Sequence, residues 1–214
     1  WSSDVCSSDL NATTERLNYY ALISRVMMQE CDMELMSQII GNEDLLLTMP
    51  NLKNEKEIIL ENQERFIAEI LNVDFTNMFL LHLVAYESFY RREDAMLNNG
   101  GTNPVIQYYE KYEFQVDLGE ARTLSPDQIG CEIEFMHMLV DSQRKAEENS
   151  DKEAVAELVN IQAEFMREHL MTWAPLFLMQ LKKYAQTGFY RDFADLTLDF
   201  LWAENEFITG HAAA

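Results

Sequence analysis

Apolar residues recur at steps of three and four through most of the chain, and no stretch alternates convincingly with period two. That spacing keeps one face of a helix oily and predicts helices rather than strands. A first helix is expected over residues 14–40, where Leu17, Tyr20, Ala21, Ser24, Met27, Met28, Cys31, Leu35 and Met36 follow the period until Gly41-Asn42 stops it. A short turn is expected at 45–49, before Pro50. A second long helix is expected over 55–71, with Ile58, Ile59, Phe66, Ile67, Ile70 and Leu71 facing inward. Asp74 reads as the N-cap of a helix over 75–83. Residues 86–97 read as loop or helix, ending at Asn98-Asn99-Gly100-Gly101. Asn103 then caps a helix with Pro104 at its first position, running to Phe114, and Gly119 marks a loop. Long helices follow over 126–148 and 151–173, separated by the polar run 147–151. Pro175 kinks or restarts the chain, Gly188 closes a helix over 176–186, and 189–202 forms the last one. There is no internal repeat. The pattern implies an all-α, single-domain multi-helix bundle. Residues 1–10 repeat Ser-Ser-Asp without a helical period, and we expect a non-native or disordered leader there, outside the fold proper at 11–214.

Composition agrees with that pattern. Only 7 glycines and 4 prolines occur in 214 residues, too few for a many-turned β fold, and 48% of residues are apolar, which argues against disorder. A chain of this length buries roughly 70% of its unfolded surface. Charge narrows the partners: 37 acidic against 16 basic residues give a net charge of -21, which repels phosphates and anionic headgroups. Nucleic acid and stable membrane insertion are therefore not expected. A basic partner is favoured, although solubility alone also accounts for such a charge. No run of about 18 apolar residues reads as a membrane span, and no secretory signal is visible. The three cysteines lack metal-ligand spacing; Cys31 and Cys131 read as small core residues, and Cys6 lies in the leader. This suits a reducing compartment.

Two clusters carry candidate chemistry. Residues 125–136 read Ser-Pro-Asp-Gln-Ile-Gly-Cys-Glu-Ile-Glu-Phe-Met. Ser125 as N-cap, Pro126 at the first helical position and Gln128 two residues later form a capping box, which by itself explains those residues. At about 100° per residue, Ile129, Ile133, Met136 and Val140 share one stripe, while Asp127, Glu134 and Asp141 fall on the far side toward solvent. Glu132 lies beside Met136 and Leu139, at the edge of the apolar stripe. An acid there needs a partner, either an internal ion pair or a bound ligand; otherwise its pKa rises. The second cluster, Tyr86-Glu87-Ser88-Phe89-Tyr90, gathers aromatics with polar tips around one acid, a composition that suits a peptide-binding surface and equally suits ordinary packing. Arg91-Arg92 follows it and is not an export signal, being internal. Ile161, Phe165, His169 and Trp173 are spaced by four, and the histidine reads as a satisfied core residue. A di-metal carboxylate bundle needs two Glu-x-x-His motifs; only Glu134-Phe-Met-His137 occurs, and no Gly-rich phosphate loop or nucleophile elbow is present.

Together these residues resemble the TorD/DmsD family of redox-enzyme maturation chaperones. The stretch from Arg16, Arg-Leu-Asn-Tyr-Tyr-Ala-Leu-Ile-Ser, resembles the family's opening helix. The stretch from Asp74, Asp-Phe-Thr-Asn-Met-Phe-Leu, resembles the approach to its Tyr-Glu-Ser-x-Tyr motif at residues 86–90. Residues 125–136 resemble its Pro-Asp-His…Glu-Leu-x-Phe-Met motif, and 165–190 its closing helices. The resemblance implies a non-enzymatic, cytoplasmic, all-helical chaperone. Its partners would be a molybdoenzyme catalytic subunit and that subunit's twin-arginine signal peptide, held until the cofactor is inserted so that export is delayed. It places partner binding on Tyr86, Glu87, Ser88 and Tyr90 and on Pro126, Asp127, Gln128 and Glu132. It implies no metal and no resident cofactor, with weak guanine-nucleotide binding left open, and either a monomer or a helix-swapped homodimer. The chain departs from the family in having Gln128 where a histidine is usual, and Ala85 where a proline often precedes the tyrosine. The alternatives are a helical metal- or nucleotide-dependent enzyme and an acidic helical adaptor with another client.

Overall fold

The first helix begins at Ser2, inside the stretch that the pattern sets aside as a leader, and ends at Met28. The computed structural model describes the backbone of residues 2–93, 97, 103–116, 119 and 123–212, and side chains within that set from residue 12 to residue 211. Every named element among them is helical. In order they are α1 (Ser2–Met28), α2 (Met33–Gly41), α3 (Glu43–Leu47), α4 (Pro50–Glu61), α5 (Gln63–Phe66), α6 (Asn72–Phe75), α7 (Glu87–Arg91), α8 (Pro104–Lys111), α9 (Ile129–Glu148), α10 (Lys152–Phe165), α11 (Met171–Tyr184) and α12 (Gly188–Ala212). Wider π turns occupy Ile67–Leu71, Thr76–His82 and Met166–Leu170. The chain is all-α, as its periodicity predicts. The Asn98–Gly101 stop lies outside the described residues.

Several boundaries differ from the pattern, each for a local reason. The expected helix over 14–40 breaks at Met28, and α2 restarts at Met33 because the Asp32 carboxylate accepts from Leu35 N–H at 2.8 Å. The expected helix over 55–71 is interrupted at Asn62, whose extended backbone ends α4 and whose side chain caps α5. The interruption and the π turn that follows shift the register, so Ile70, expected inside, is exposed; Ile58, also expected inside, is exposed on α4 beside the buried Ile59. Asp74 caps nothing downstream. It lies buried in α6, and its carboxylate accepts from Gln186 N–H, Thr187 N–H and the Thr187 hydroxyl. Gly188 opens α12 instead of closing a helix, and its lack of a side chain answers a close approach: a Cβ there would stand 2.8 Å from Glu55 Oε1 and 2.9 Å from Asn51 Cβ. Asn103 and Pro104 start α8 as expected, with Asn103 Oδ1 accepting from Val105 N–H.

The helices fall into two compact units. One comprises Trp1–Met28, Tyr86–Trp173 and Leu201–Ala214; the other comprises Gln29–Ala85 and Ala174–Phe200. In the first, α9 packs between α1 and α10. Its core joins Tyr20, Ile23 and Met27 of α1 to Ile133, Met136 and Val140 of α9, beside an aromatic cluster in which Phe135 lies 4.7 Å from Phe165 and 5.0 Å from Tyr109. The core also holds a buried polar network. Arg16 pairs with Glu204 at 3.0 Å and donates to Gln143 Oε1 and Gln162 Oε1, and the Tyr20 hydroxyl donates to Glu204 at 2.9 Å. A buried guanidinium is tolerable only when its donors are satisfied in this way. In the second unit, Asp192 caps α4 by accepting from Leu52 N–H and the Asn51 amide, over a core of Leu52, Ile59, Leu71, Phe75, Phe177 and Tyr190.

Candidate functional site

The two sequence clusters meet in the first unit. Tyr86 and Gln128 form an isolated antiparallel bridge, the backbone contact that joins segments some 40 residues apart in the chain. Glu87 N–H donates to Asp127 O at 2.9 Å, and Ser88 N–H donates to Asp127 Oδ2 at 2.8 Å. Asp127 thus caps α7 from a remote segment, since Tyr86 supplies no side-chain cap of its own. The Ser125 hydroxyl donates to Asp127 Oδ1 in a very short bond. The Tyr86 hydroxyl accepts from Thr123 Oγ1 and Leu124 N–H, and the Tyr109 hydroxyl donates to Pro126 O.

This pairing overturns two expectations. Ser125 is not the N-cap, and Pro126 is not in the helix. The chain turns at residues 126–127 and is extended at Gln128, which itself caps α9 by accepting from Gly130 N–H at 2.5 Å. The Gln128 amide also donates to Met27 O at 2.9 Å, so this side chain, in place of the family's histidine, is held at both ends. Asp127 does not face solvent. It is 0% exposed, because it lies in a turn ahead of α9 and faces the amides at the start of α7. The close approach at the start of α9 also requires Gly130: a Cβ there would clash with the Met28 side chain and lie 2.8 Å from Gln128 Oε1.

Glu132 lies where helix geometry directs it, on the inner side of α9 and 0% exposed. One oxygen accepts from Trp173 Nε1 at 3.2 Å; the other is buried and meets no hydrogen-bond partner among the described residues. Burial raises its pKa well above the usual carboxylate range, the charges of Glu87 and Asp127 raise it further, and the Trp173 N–H pulls it back. Glu134 is only half-buried, as its outward position implies. Glu87 is buried against His169, whose Nδ1 lies 2.9 Å from Oε2, and it pairs with Arg91. Arg91 also donates to Glu168 O at 2.7 Å. His169 stacks on Phe165 at 4.7 Å, a satisfied core histidine as expected.

Three buried carboxyls therefore share a small volume with one histidine and one half-exposed arginine. Toward the surface, Tyr86, Phe89 and Tyr90 are half-buried, with Tyr90 lying 5.4 Å from Trp173. Burial pushes the Tyr90 hydroxyl up to about 12. His169, Trp173 and Tyr109 belong to the cluster and were not assigned to it from the sequence. The four-residue spacing of Phe165, His169 and Trp173 was legible, but nothing in it says that Glu87 and Glu132 lie opposite. Among the described residues no group of three or more His, Cys, Asp or Glu is arranged to hold a metal ion. None of their helices is long and apolar enough to cross a membrane.

The family model for the nitrate reductase delta subunit matches residues 56–179, a span that contains both clusters. Among curated relatives, the chaperone protein TorD of Vibrio parahaemolyticus is 27% identical over 69% of this chain and 69% of its own. TorD of Vibrio atlanticus is 23% identical over 98% and 92%, and TorD of Aliivibrio salmonicida is 24% identical over 95% and 99%. No solved structure matches the chain.

Proposed function

The chain belongs to the nitrate reductase delta subunit family, the family of the TorD chaperones, and on that premise we propose that it is a cytoplasmic maturation chaperone for a molybdenum-cofactor oxidoreductase. Its relatives are named chaperones, not enzymes. In this reading it binds the twin-arginine signal peptide or the apo form of its client, assists cofactor insertion and delays export.

The observation that carries the reading is the Tyr86–Gln128 bridge. It ties Tyr86, Glu87, Ser88 and Tyr90 to Pro126, Asp127, Gln128 and Glu132 in one cluster, inside the span matched by the family. Because Glu87, Asp127 and Glu132 are buried and turned toward internal donors, their part is to hold this cluster in shape. Contact with the client then falls to the half-buried rings of Tyr86, Phe89 and Tyr90, which offer area together with polar tips.

Titration of the full chain with a synthetic twin-arginine peptide, followed by calorimetry, tests the reading. Tyr86→Ala and Tyr90→Ala are expected to weaken binding about tenfold, the usual cost of losing a central aromatic contact. If the native chain does not bind such a peptide, and no molybdoenzyme subunit copurifies with it, the reading is wrong.

A further inference from the structure

Glu87 and Glu132 come from different elements and are held by one helical face. Nδ1 of His169 lies 2.9 Å from Glu87, and Trp173 donates to Glu132 at 3.2 Å. Positions four apart on a helical run are neighbours, so these two partners bring the two acids together. The carboxyls lie within hydrogen-bonding reach of each other. Ionised carboxylates only accept, so that contact is a hydrogen bond only while one of the two carries a proton. Glu132 is the better placed to carry it. One of its oxygens meets no donor among the described residues, whereas Glu87 meets both Arg91 and His169.

The groups around this pair fix what happens when the proton leaves. Asp127, ahead of α9, adds a third carboxyl, turned to the Ser88 N–H. Against the acids stand the half-exposed Arg91 of α7 and His169, which is charged only when protonated. Tyr90, Tyr108, Tyr109 and Cys131 also border the cluster, and burial raises the pKa of each, so they stay uncharged near neutral pH. Loss of the Glu132 proton to solvent therefore turns a hydrogen bond into repulsion between two buried anions. The repulsion acts on the element that is held less firmly. α9, which carries Glu132, packs between α1 and α10 and buries Ile133, Met136 and Val140. α7, which carries Glu87, has 5 residues, and its buried ones are Glu87 and Ser88. A helix that short is not stable by itself. It is held by the Asp127 cap, by the contact of Glu87 with His169 and by the bond from Arg91 to Glu168 O.

We propose that Glu132 and Glu87 form a proton-operated latch on α7: a proton shared between them holds α7 in place, and its loss as pH rises releases α7 together with the rings of Phe89 and Tyr90. Burial and the neighbouring carboxylates raise the Glu132 pKa above that of an ordinary glutamate, so the closed latch keeps a proton that the open one gives up. Closure is full at acid pH and weakens as pH climbs between those two values. The latch is a property of the fold and stands without the chaperone reading. Its use rests on that reading, in which it regulates how the aromatic contact surface is presented to a client.

The test is hydrogen exchange of the full chain from about pH 5.5 to 8.5, read by mass spectrometry and expressed as protection, which removes the intrinsic pH dependence of amide exchange. Protection over residues 86–92 is expected to fall by up to about tenfold per pH unit while the amides of α9 keep theirs. In Glu132→Gln, protection over 86–92 is expected to stay level across the same range. Infrared spectroscopy of the native chain gives a second readout: a protonated-carboxyl band that survives above the range of ordinary carboxylic acids and fades as 86–92 lose protection. Protection of 86–92 that does not vary with pH, that falls in step with α9, or that falls just as far in Glu132→Gln overturns the inference, as does absence of the infrared band. None of these results touches the chaperone reading, which the peptide titration decides.

Discussion

Replacing Glu132 by glutamine removes a carboxyl that the first unit encloses beside two others. Glu132 is 0% exposed, one of its oxygens meets no hydrogen-bond partner among the described residues, and Glu87 and Asp127 lie close by. An unfolded glutamate titrates near about 4.3, and burial raises the folded value. Above the unfolded pKa the folded state therefore holds a proton that the unfolded state has released. Stability from this group is full at acid pH and falls as pH rises, by about 1.4 kcal/mol per pH unit, until the folded pKa is passed. At pH 7 the ceiling on that loss is about 4 kcal/mol, the work of protonating an ordinary glutamate at that pH. Glutamine avoids the loss. Its carbonyl can keep the Trp173 hydrogen bond, and its amide can donate toward the neighbouring carboxylates. The measurement is urea unfolding of both proteins at intervals from pH 4.5 to 8. Glu132→Gln should match the native chain near pH 4.5 and exceed it by an amount that grows with pH. Parallel profiles with the variant less stable throughout would mean that Glu132 is ionised in the fold, and the account of the cluster would be wrong.

Two further expectations concern stability. Asp127→Ala strips the cap from α7 and leaves Ser88 N–H without its acceptor, which should cost about 1–3 kcal/mol; hydrogen exchange at Ser88 should accelerate well beyond that at α9 amides, and equal protection in the variant would refute the remote cap. Arg16→Ala leaves Glu204 buried without its counter-charge and should cost about 3–5 kcal/mol in denaturant unfolding. A loss below about 1 kcal/mol would show that the network contributes little.

Much of the architecture was legible before packing was known. Three- and four-residue apolar steps, scarce glycine and proline, and the Asn103-Pro104 start follow from backbone geometry and local hydrogen bonding, and the structure keeps them. Glu132 was legible too, because rotation about a single helix axis sets which side of α9 it occupies. The identity of its partner was not: Trp173 belongs to another helix, and periodicity carries no information about which helices pack together. Local signals also lost to remote ones. Ser125, Pro126 and Gln128 spell a capping box, yet Glu87 and Ser88 offer two amides to Asp127, and that pairing keeps the segment out of the helix and moves the cap to Gln128. Asp74 met the same fate, drawn from capping its own helix to holding the Gln186 and Thr187 amides. The sequence alone therefore determined the helical class and the inward side of α9. Only the tertiary structure decided which carboxyls share a buried volume, because that depends on contacts between residues far apart in the chain, where neither propensity nor period reaches.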